Sequence, residues 1–153
     1  MNGYLWVIGS SLALVCSVSR RWDREIQHQL VILNIGLLLD LILSCSLKLI
    51  IQRPRPKYNI NDQKFEAPIA DEFSFPSGHS SRTAMIAALC TAFYPKYQYA
   101  AMLMAFVVAM SRVAMGRHYL SDALGGLLIG WLEGMAVLAL PRSFSVWIRG
   151  ILH

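Results

Sequence analysis

The residue types best suited to chemistry lie close together in residues 111–122. Within this stretch Arg112 supplies a cation, His118 a nucleophile or base, and Asp122 a carboxylate. If Arg112 ends one helix and His118 and Asp122 begin the next, their four-residue spacing lets the carboxylate reach the imidazole ring. A cation beside an oriented histidine is a combination suited to phosphorus chemistry.

Two other polar clusters add to this stretch. Lys48 and Arg55 belong to a basic segment, and Ser77 and Gly78 precede an apolar run. We expect Ser77 and Gly78 to begin a helix, where unpaired backbone N–H groups and the positive end of the helix dipole bind anions. Together with Arg112, these residues predict a cage for a tetrahedral oxyanion, and phosphate fits it best.

The elements that must position these clusters are apolar helices. Hydrophobic residues make up 56% of the 153-residue chain and charged residues 15%, and the mean hydropathy is +0.46. These values are typical of membrane proteins. The sequence predicts an all-α fold, an integral membrane helical bundle of about five spans forming one domain over residues 1–153. The predicted spans cover residues 4–18, 30–51, 78–93, 99–111 and 121–140.

The order of the spans places all three clusters at one membrane face. The second span ends near Arg53, so residues 48–56, 76–79 and 111–122 all fall at the same end of the bundle. We therefore expect the active site at that face. In the fifth span Gly126, Gly130 and Gly134 form a small-residue seam that predicts close helix packing, within the chain or with a second copy.

The distribution of charged residues and cysteines argues against several other kinds of protein and site. The net charge of +5 arises from Lys and Arg residues scattered between apolar runs, a pattern that does not favour a nucleic-acid partner. No basic residue precedes the first apolar run and several follow it, which favours a retained helix over a signal peptide. Cys16, Cys45 and Cys90 lie in apolar segments without paired spacing, so we expect neither disulfides nor a zinc site.

The three clusters read K-x-x-x-x-x-x-R-P, P-S-G-H and S-R-x-x-x-x-x-H-x-x-x-D, at residues 48–56, 76–79 and 111–122. In order and spacing they resemble the three motifs of the type 2 phosphatidic acid phosphatase (lipid phosphate phosphatase) family. The contexts FSFPSGHSSR and MGRH are most similar to its polyisoprenoid and presqualene diphosphate phosphatase subgroup. The family core usually has six helices, whereas five spans are predicted here.

The resemblance implies a role for each motif residue. His118 is expected to attack phosphorus and form a phosphohistidine, and His79 to donate a proton to the leaving group. Asp122 is expected to bond the other ring nitrogen of His118 and fix its tautomer. The residues expected to bind the phosphate are Lys48, Arg55, Ser77, Gly78 and Arg112. The resemblance implies neither a metal nor another cofactor.

The implied activity is hydrolysis of lipid phosphate monoesters or diphosphates. Polyisoprenoid diphosphates such as farnesyl or presqualene diphosphate are the first candidate substrates, and phosphatidate-type lipids are also candidates. The partners are then the lipid substrate and the bilayer. The expected location is the endoplasmic reticulum or nuclear envelope in a eukaryote and the inner membrane in a bacterium. A lipid phosphotransferase and a non-catalytic lipid-binding scaffold are the alternatives. A vanadate-dependent haloperoxidase would share the anion cage, but those relatives are larger soluble proteins.

Charged residues outside the motifs are expected to have structural or surface roles. Asp40 and Glu133 lie within predicted spans, where each is expected to have a partner in the bundle. Four basic residues near the site are expected mostly at its rim or facing lipid headgroups: Arg53, Lys57, Arg82 and Arg117.

Overall fold

The described part of the chain is a helical bundle. A computed structural model describes residues 3–19, 22–57 and 72–151, and these residues contain six α-helices and no strand beyond the isolated bridge between Pro54 and Phe73. The helices are α1 (Gly3–Ser19), α2 (Arg24–Ile51), α3 (Gly78–Phe93), α4 (Gln98–Ala114), α5 (Leu120–Leu138) and α6 (Arg142–Ile151), with a 3-10 turn at Pro95–Tyr97 before α4.

Helix α3 lies at the centre of the bundle. It packs against α2, α4 and α5, while α1 packs against α2. The apolar core joins α2 to α3 and α5 through Ile32, Leu37, Met85, Leu89 and Val137, all nearly inaccessible to solvent. The second motif, residues 76–79, begins this helix, so the position of α3 determines where that motif lies.

The glycine seam of α5 packs directly against α3. A Cβ atom on Gly126 would lie 2.7 Å from the carbonyl oxygen of Ser77, and one on Gly130 would overlap the backbone of Ser81. The two helices therefore approach more closely than any larger residue allows. The predicted packing role of the seam is confirmed within the chain, and its use by a second copy stays a prediction.

Several helices have the length and apolar character of membrane spans. Three segments are long and apolar enough to cross a bilayer, namely α2, Pro95–Ala114 and α5, and Leu5–Val18 is a shorter apolar helix. Helix α3 has 16 residues and is surrounded by its neighbours. The prediction of an all-α membrane bundle is confirmed, with apolar helices at the five predicted places.

The largest differences from the predicted helices are the start of α2 and the presence of α6. Helix α2 begins at Arg24 rather than at residue 30, because the Asp23 side chain accepts a hydrogen bond from the Glu25 N–H (3.2 Å) and caps the first turn. Helix α6 was not predicted, since its ten residues mix polar and apolar types and contain no long apolar run. Its Val146 and Trp147 side chains are exposed, which is typical of an amphipathic helix.

Candidate active site

His118 lies in the loop between α4 and α5. Arg112 occupies the last turn of α4, as the sequence predicted. The chain then turns at Gly116, whose φ of 68° is in the left-handed region that favours glycine. Hydrogen bonds from the Gly116 and Arg117 N–H groups to Val113 and Arg112 close this turn. The loop thereby carries His118 back against the bundle, where only 5% of its surface is exposed.

The imidazole of His118 is held by a backbone carbonyl. Its Nδ1 atom lies 2.7 Å from the carbonyl oxygen of Ser74. A carbonyl oxygen only accepts hydrogen bonds, so the ring proton lies on Nδ1 and Nε2 retains its lone pair. Burial lowers the pKa of His118 to about 3, and the positive charges of Arg55 and Lys48 act in the same direction. The ring is therefore neutral at physiological pH.

Asp122 does not make the predicted hydrogen bond to His118. Its Oδ2 atom lies 3.9 Å from His118 Nδ1 and accepts instead from the Tyr119 N–H at 2.9 Å. Its Oδ1 atom accepts from the guanidinium of Arg53 at 2.6 Å. The prediction assumed that both residues lie on one helix, but α5 begins at Leu120, after His118. The i, i+4 geometry therefore does not apply.

Arg53 is a site residue that the sequence reasoning missed. It was interpreted as a rim residue, yet it bonds the fully buried Asp122 and donates to Ser121 Oγ at 2.7 Å. Its guanidinium also lies 4.2 Å from the centre of the Tyr119 ring. The available signal was its position in the basic segment 48–56. That signal did not distinguish Arg53 from the neighbouring basic residues.

Ser74 was also missed, and its position is fixed by residues 53–54. The Ser74 N–H donates to the Arg53 carbonyl at 2.8 Å, and its hydroxyl donates to the carbonyl oxygens of Arg53 and Pro54. Lys48 Nζ donates to the adjacent Phe73 carbonyl at 2.7 Å. The carbonyl that orients His118 is therefore part of a fixed joint between the first and second motifs.

Ser77 does not provide the predicted backbone donor. Its N–H donates to the backbone carbonyl of Asp122 at 3.2 Å, and its hydroxyl accepts from Ser80 at 2.9 Å. A helix begins at this point, as predicted: Ser77 is the N-cap residue of α3, and Gly78 is its first residue. The structure therefore assigns Ser77 to the joint between α3 and α5 and leaves Gly78 as the predicted helix-end donor.

The predicted cations lie near the two histidines. Lys48 and Arg112 are close enough to His79 for their charges to act on its ring, as Lys48 and Arg55 do on His118. The His79 Nε2 and Arg112 Nε atoms are buried and make no hydrogen bond with the described residues. All three motifs therefore meet in one strongly positive site. Within the described segments, no group of three His, Cys, Asp or Glu side chains is placed to hold a metal ion.

Arg82 is buried and does not lie at the rim as interpreted. Its NH2 atom donates to Asp40 Oδ2 at 2.6 Å, and Asp40 is fully buried. Asp40 thus has the partner in the bundle that the sequence predicted. The arginine and the carboxylate compensate each other because an unpaired charge at such depth is costly.

Most of the chain matches a known protein family. The model of the PAP2 superfamily matches residues 29–144, which include most of α2, all of α3 to α5 and all three motifs. The chain belongs to the PAP2 superfamily. The family resemblance of the three motifs is therefore confirmed.

The curated proteins that are similar to this chain have names that refer to different substrates. It is 33% identical over 136 residues to a probable lipid phosphate phosphatase beta of Arabidopsis thaliana, covering 71% of this chain and 63% of the plant protein. It is 34% identical over 106 residues to phosphatidylglycerophosphatase B of Bacillus subtilis, covering 61% and 48%. It is 26% identical over 138 residues to an undecaprenyl-diphosphatase of Sulfolobus acidocaldarius, covering 88% and 63%. The matched region is thus less than two thirds of each relative.

The fold of this PAP2 chain resembles a solved structure of a membrane enzyme. A transmembrane PAP2-type phosphatidylglycerolphosphate phosphatase from Bacillus subtilis superposes with a TM-score of 0.62 at 27% identity. The match covers 95% of this chain and 74% of that one. Together with the apolar helices, this similarity identifies the chain as an integral membrane protein.

Proposed function

We propose that this PAP2 chain is a metal-independent membrane phosphatase that hydrolyses phosphate monoesters or diphosphates of lipids through a phosphohistidine on His118. The observation that carries the proposal is the hydrogen bond from His118 Nδ1 to the Ser74 carbonyl (2.7 Å). This bond leaves the Nε2 lone pair for attack on phosphorus, and the lowered pKa keeps the ring unprotonated.

In the first half-reaction, His118 Nε2 forms a bond to phosphorus while the bond from phosphorus to the leaving oxygen breaks. Lys48, Arg55 and Arg112 offset the charge of the phosphoryl oxygens, and the Gly78 N–H adds a donor at the start of α3. His79 gives its proton to the leaving oxygen. A bound phosphate favours that proton, because its negative charge attracts a proton on the neighbouring ring.

In the second half-reaction, water attacks the phosphohistidine and releases phosphate. His79, unprotonated after the first step, accepts the proton of the attacking water and regains its starting state. His118 leaves as a neutral ring because the Ser74 carbonyl holds the Nδ1 proton throughout. This cycle uses only residues of the three motifs and the Ser74 joint.

The proposed substrates are amphiphilic phosphates, with polyisoprenoid diphosphates preferred and phosphatidate-type lipids also accepted. The relatives named above are consistent with this class, since their names include a lipid phosphate phosphatase and an undecaprenyl-diphosphatase. The site at one end of an apolar bundle lets a lipid tail remain in the bilayer while the phosphate reaches His118. The proposed compartment is the endoplasmic reticulum or nuclear envelope in a eukaryote and the inner membrane in a bacterium.

The proposal is tested by phosphate release from purified protein in detergent, with chelator present. The panel contains isoprenoid diphosphates, phosphatidate and sphingoid phosphates, and the variant is His118→Ala. We expect activity without divalent cations and a loss of at least about 10³-fold in the variant. His28→Gln is the matched control, because His28 lies at the other end of α2 and contacts Ser145.

A phosphohistidine trapped with labelled substrate in the wild type, and absent from His118→Ala, would support the covalent route. Equal activity of the folded variant and wild type would contradict it. Adding a lipid alcohol and identifying the products distinguishes water from an alcohol as the phosphate acceptor.

A further inference from the structure

One face of α2 carries polar residues from the phosphate site into the apolar bundle. Asp40, Ser44 and Lys48 are spaced four residues apart and are 0%, 6% and 6% exposed. Lys48 lies at the active-site end, and Asp40 lies eight residues deeper, which corresponds to about 12 Å of helix. A carboxylate at this depth is retained only where it has strong partners.

Both partners of Asp40 lie on α3. Its Oδ1 atom accepts from Ser81 Oγ at 2.5 Å, and its Oδ2 atom accepts from Arg82 NH2 at 2.6 Å. Ser44 Oγ also lies 3.3 Å from Ser81 Oγ. Two charge-assisted bonds to adjacent residues fix both the rotation and the height of α3 relative to α2.

The same turn of α3 carries His79. His79 is three residues before Arg82, so the two side chains lie on neighbouring positions of one helix face. The Nε2 atom of His79 makes no hydrogen bond with the described residues. No hydrogen bond from that nitrogen to a described residue sets its position, so the placement of Nε2 depends on the orientation of α3.

A second buried carboxylate lies nearby but does not hold α3. Glu133 on α5 is 3% exposed, and both of its oxygens are without a hydrogen-bond partner among the described residues. The charges of Asp40 and Arg82 act on it. Glu133 thus shares the environment of Asp40 without its contacts to Ser81 and Arg82, and it provides a matched control.

We propose that Asp40, through its bonds to Ser81 and Arg82, is a positioning residue that aims His79 at the leaving-group oxygen. The inference rests on the proposed role of His79 as the proton donor. Asp40 touches neither the substrate nor the reacting atoms. Its largest effect is therefore expected on reactions whose leaving group needs that proton.

The test compares two leaving groups in Asp40→Asn. Phosphatidate releases a strongly basic alkoxide and needs a proton donor, whereas p-nitrophenyl phosphate releases a stable phenolate and does not. Because kcat/KM includes departure of the leaving group but not later hydrolysis of the phosphohistidine, it is the quantity to compare. We expect kcat/KM to fall at least about tenfold for phosphatidate and less than about twofold for the aryl phosphate.

Three further variants make the outcome decisive. Ser81→Ala keeps the ion pair between Asp40 and Arg82. We expect it to lower kcat/KM for phosphatidate relative to the aryl phosphate, as Asp40→Asn does, but by less. It therefore decides the question if Asp40→Asn does not fold. Arg82→Lys keeps the positive charge beside Asp40, so it should preserve part of the wild-type ratio of the two kcat/KM values. Glu133→Gln is expected to leave the ratio of the two kcat/KM values unchanged. Equal losses on both substrates in folded Asp40→Asn or Ser81→Ala would overturn the inference.

His79→Asn separates this inference from the proposed function. If His79→Asn shows the leaving-group selectivity and the Asp40 and Ser81 variants do not, the positioning role is wrong and the acid role stands. If His79→Asn slows both substrates equally, the assignment of His79 as the acid is itself wrong.

Discussion

The Nδ1 atom of His118 lies 2.7 Å from the carbonyl oxygen of Ser74, while the carboxylate of Asp122 stays 3.9 Å away. A neutral acceptor therefore orients the ring, and the carboxylate is neutralised by Arg53 at 2.6 Å. A directly bonded carboxylate would favour the protonated ring, whereas a carbonyl fixes the tautomer with less effect on its charge. This arrangement suits a histidine that must attack as a neutral base.

The pH behaviour of His118 follows from this environment. Its lowered pKa of about 3 predicts a neutral ring throughout pH 5–8 in the free protein. Vanadate or phosphate is expected to raise the pKa, because a bound anion offsets Arg55 and Lys48. Nitrogen-15 NMR of labelled histidine in micelles measures both states. An ordinary titration near 6.5, unchanged by vanadate, would contradict the assigned surroundings.

Removal of Arg53 is expected to change the charge state of His118. In Arg53→Ala the Asp122 carboxylate loses its cation and stays 3.9 Å from Nδ1. Its uncompensated negative charge favours the imidazolium, so the pKa of His118 should rise and activity below neutral pH should fall. The double variant with Asp122→Asn should restore part of the wild-type pKa. If the two substitutions changed the pKa of His118 additively, Arg53 would not act on His118 through Asp122.

The three motif cations are expected to contribute to phosphate binding and to the transition state. Lys48→Ala, Arg55→Ala and Arg112→Ala should each lower kcat/KM by about 10²-fold, since one preorganised donor is worth about 3 kcal/mol. Inhibition by vanadate should weaken in parallel. Lys96→Ala removes an exposed cation in the turn before α4 and serves as the control. Vanadate inhibition as strong in all three variants as in wild type would refute the anion cage.

The glycine seam predicts a specific stability effect. In Gly130→Ala the added methyl group overlaps the backbone of Ser81, so α5 and α3 must separate. We expect a loss of about 1–3 kcal/mol in unfolding free energy and lower activity, because Ser77 links the same two helices at the site. Gly9→Ala is the control, since no atom lies within 4 Å of its added Cβ. Thermal unfolding in detergent compares the two, and equal stability would show that the seam tolerates larger residues.

Much of the fold could be predicted because its signals are local. Apolar runs of helical length and the breaks at Pro54, Pro56 and Pro141 indicate where the chain crosses the bundle and where it turns. The small-residue seam of α5 predicted its close packing for the same reason. Helix α6 carried no such run, and its short amphipathic sequence gave only a weak signal.

The partners inside the site could not be predicted from spacing. Arg53, Ser74 and Arg82 contact residues far from them in the chain. Their places in or beside the motifs do not show which residues they contact. The expected bond between His118 and Asp122 was wrong because the helix begins two residues after His118. The four-residue spacing therefore did not decide which atoms face each other.

The sequence by itself determined the residue types, the three motifs and their meeting at one end of a membrane bundle, because motif spacing and apolar run lengths are properties of the chain. Only the tertiary structure decided that a carbonyl orients His118, that Arg53 neutralises Asp122 and that Asp40 holds the turn carrying His79. Hydrogen bonds form within about 3 Å, and such distances depend on how the helices pack.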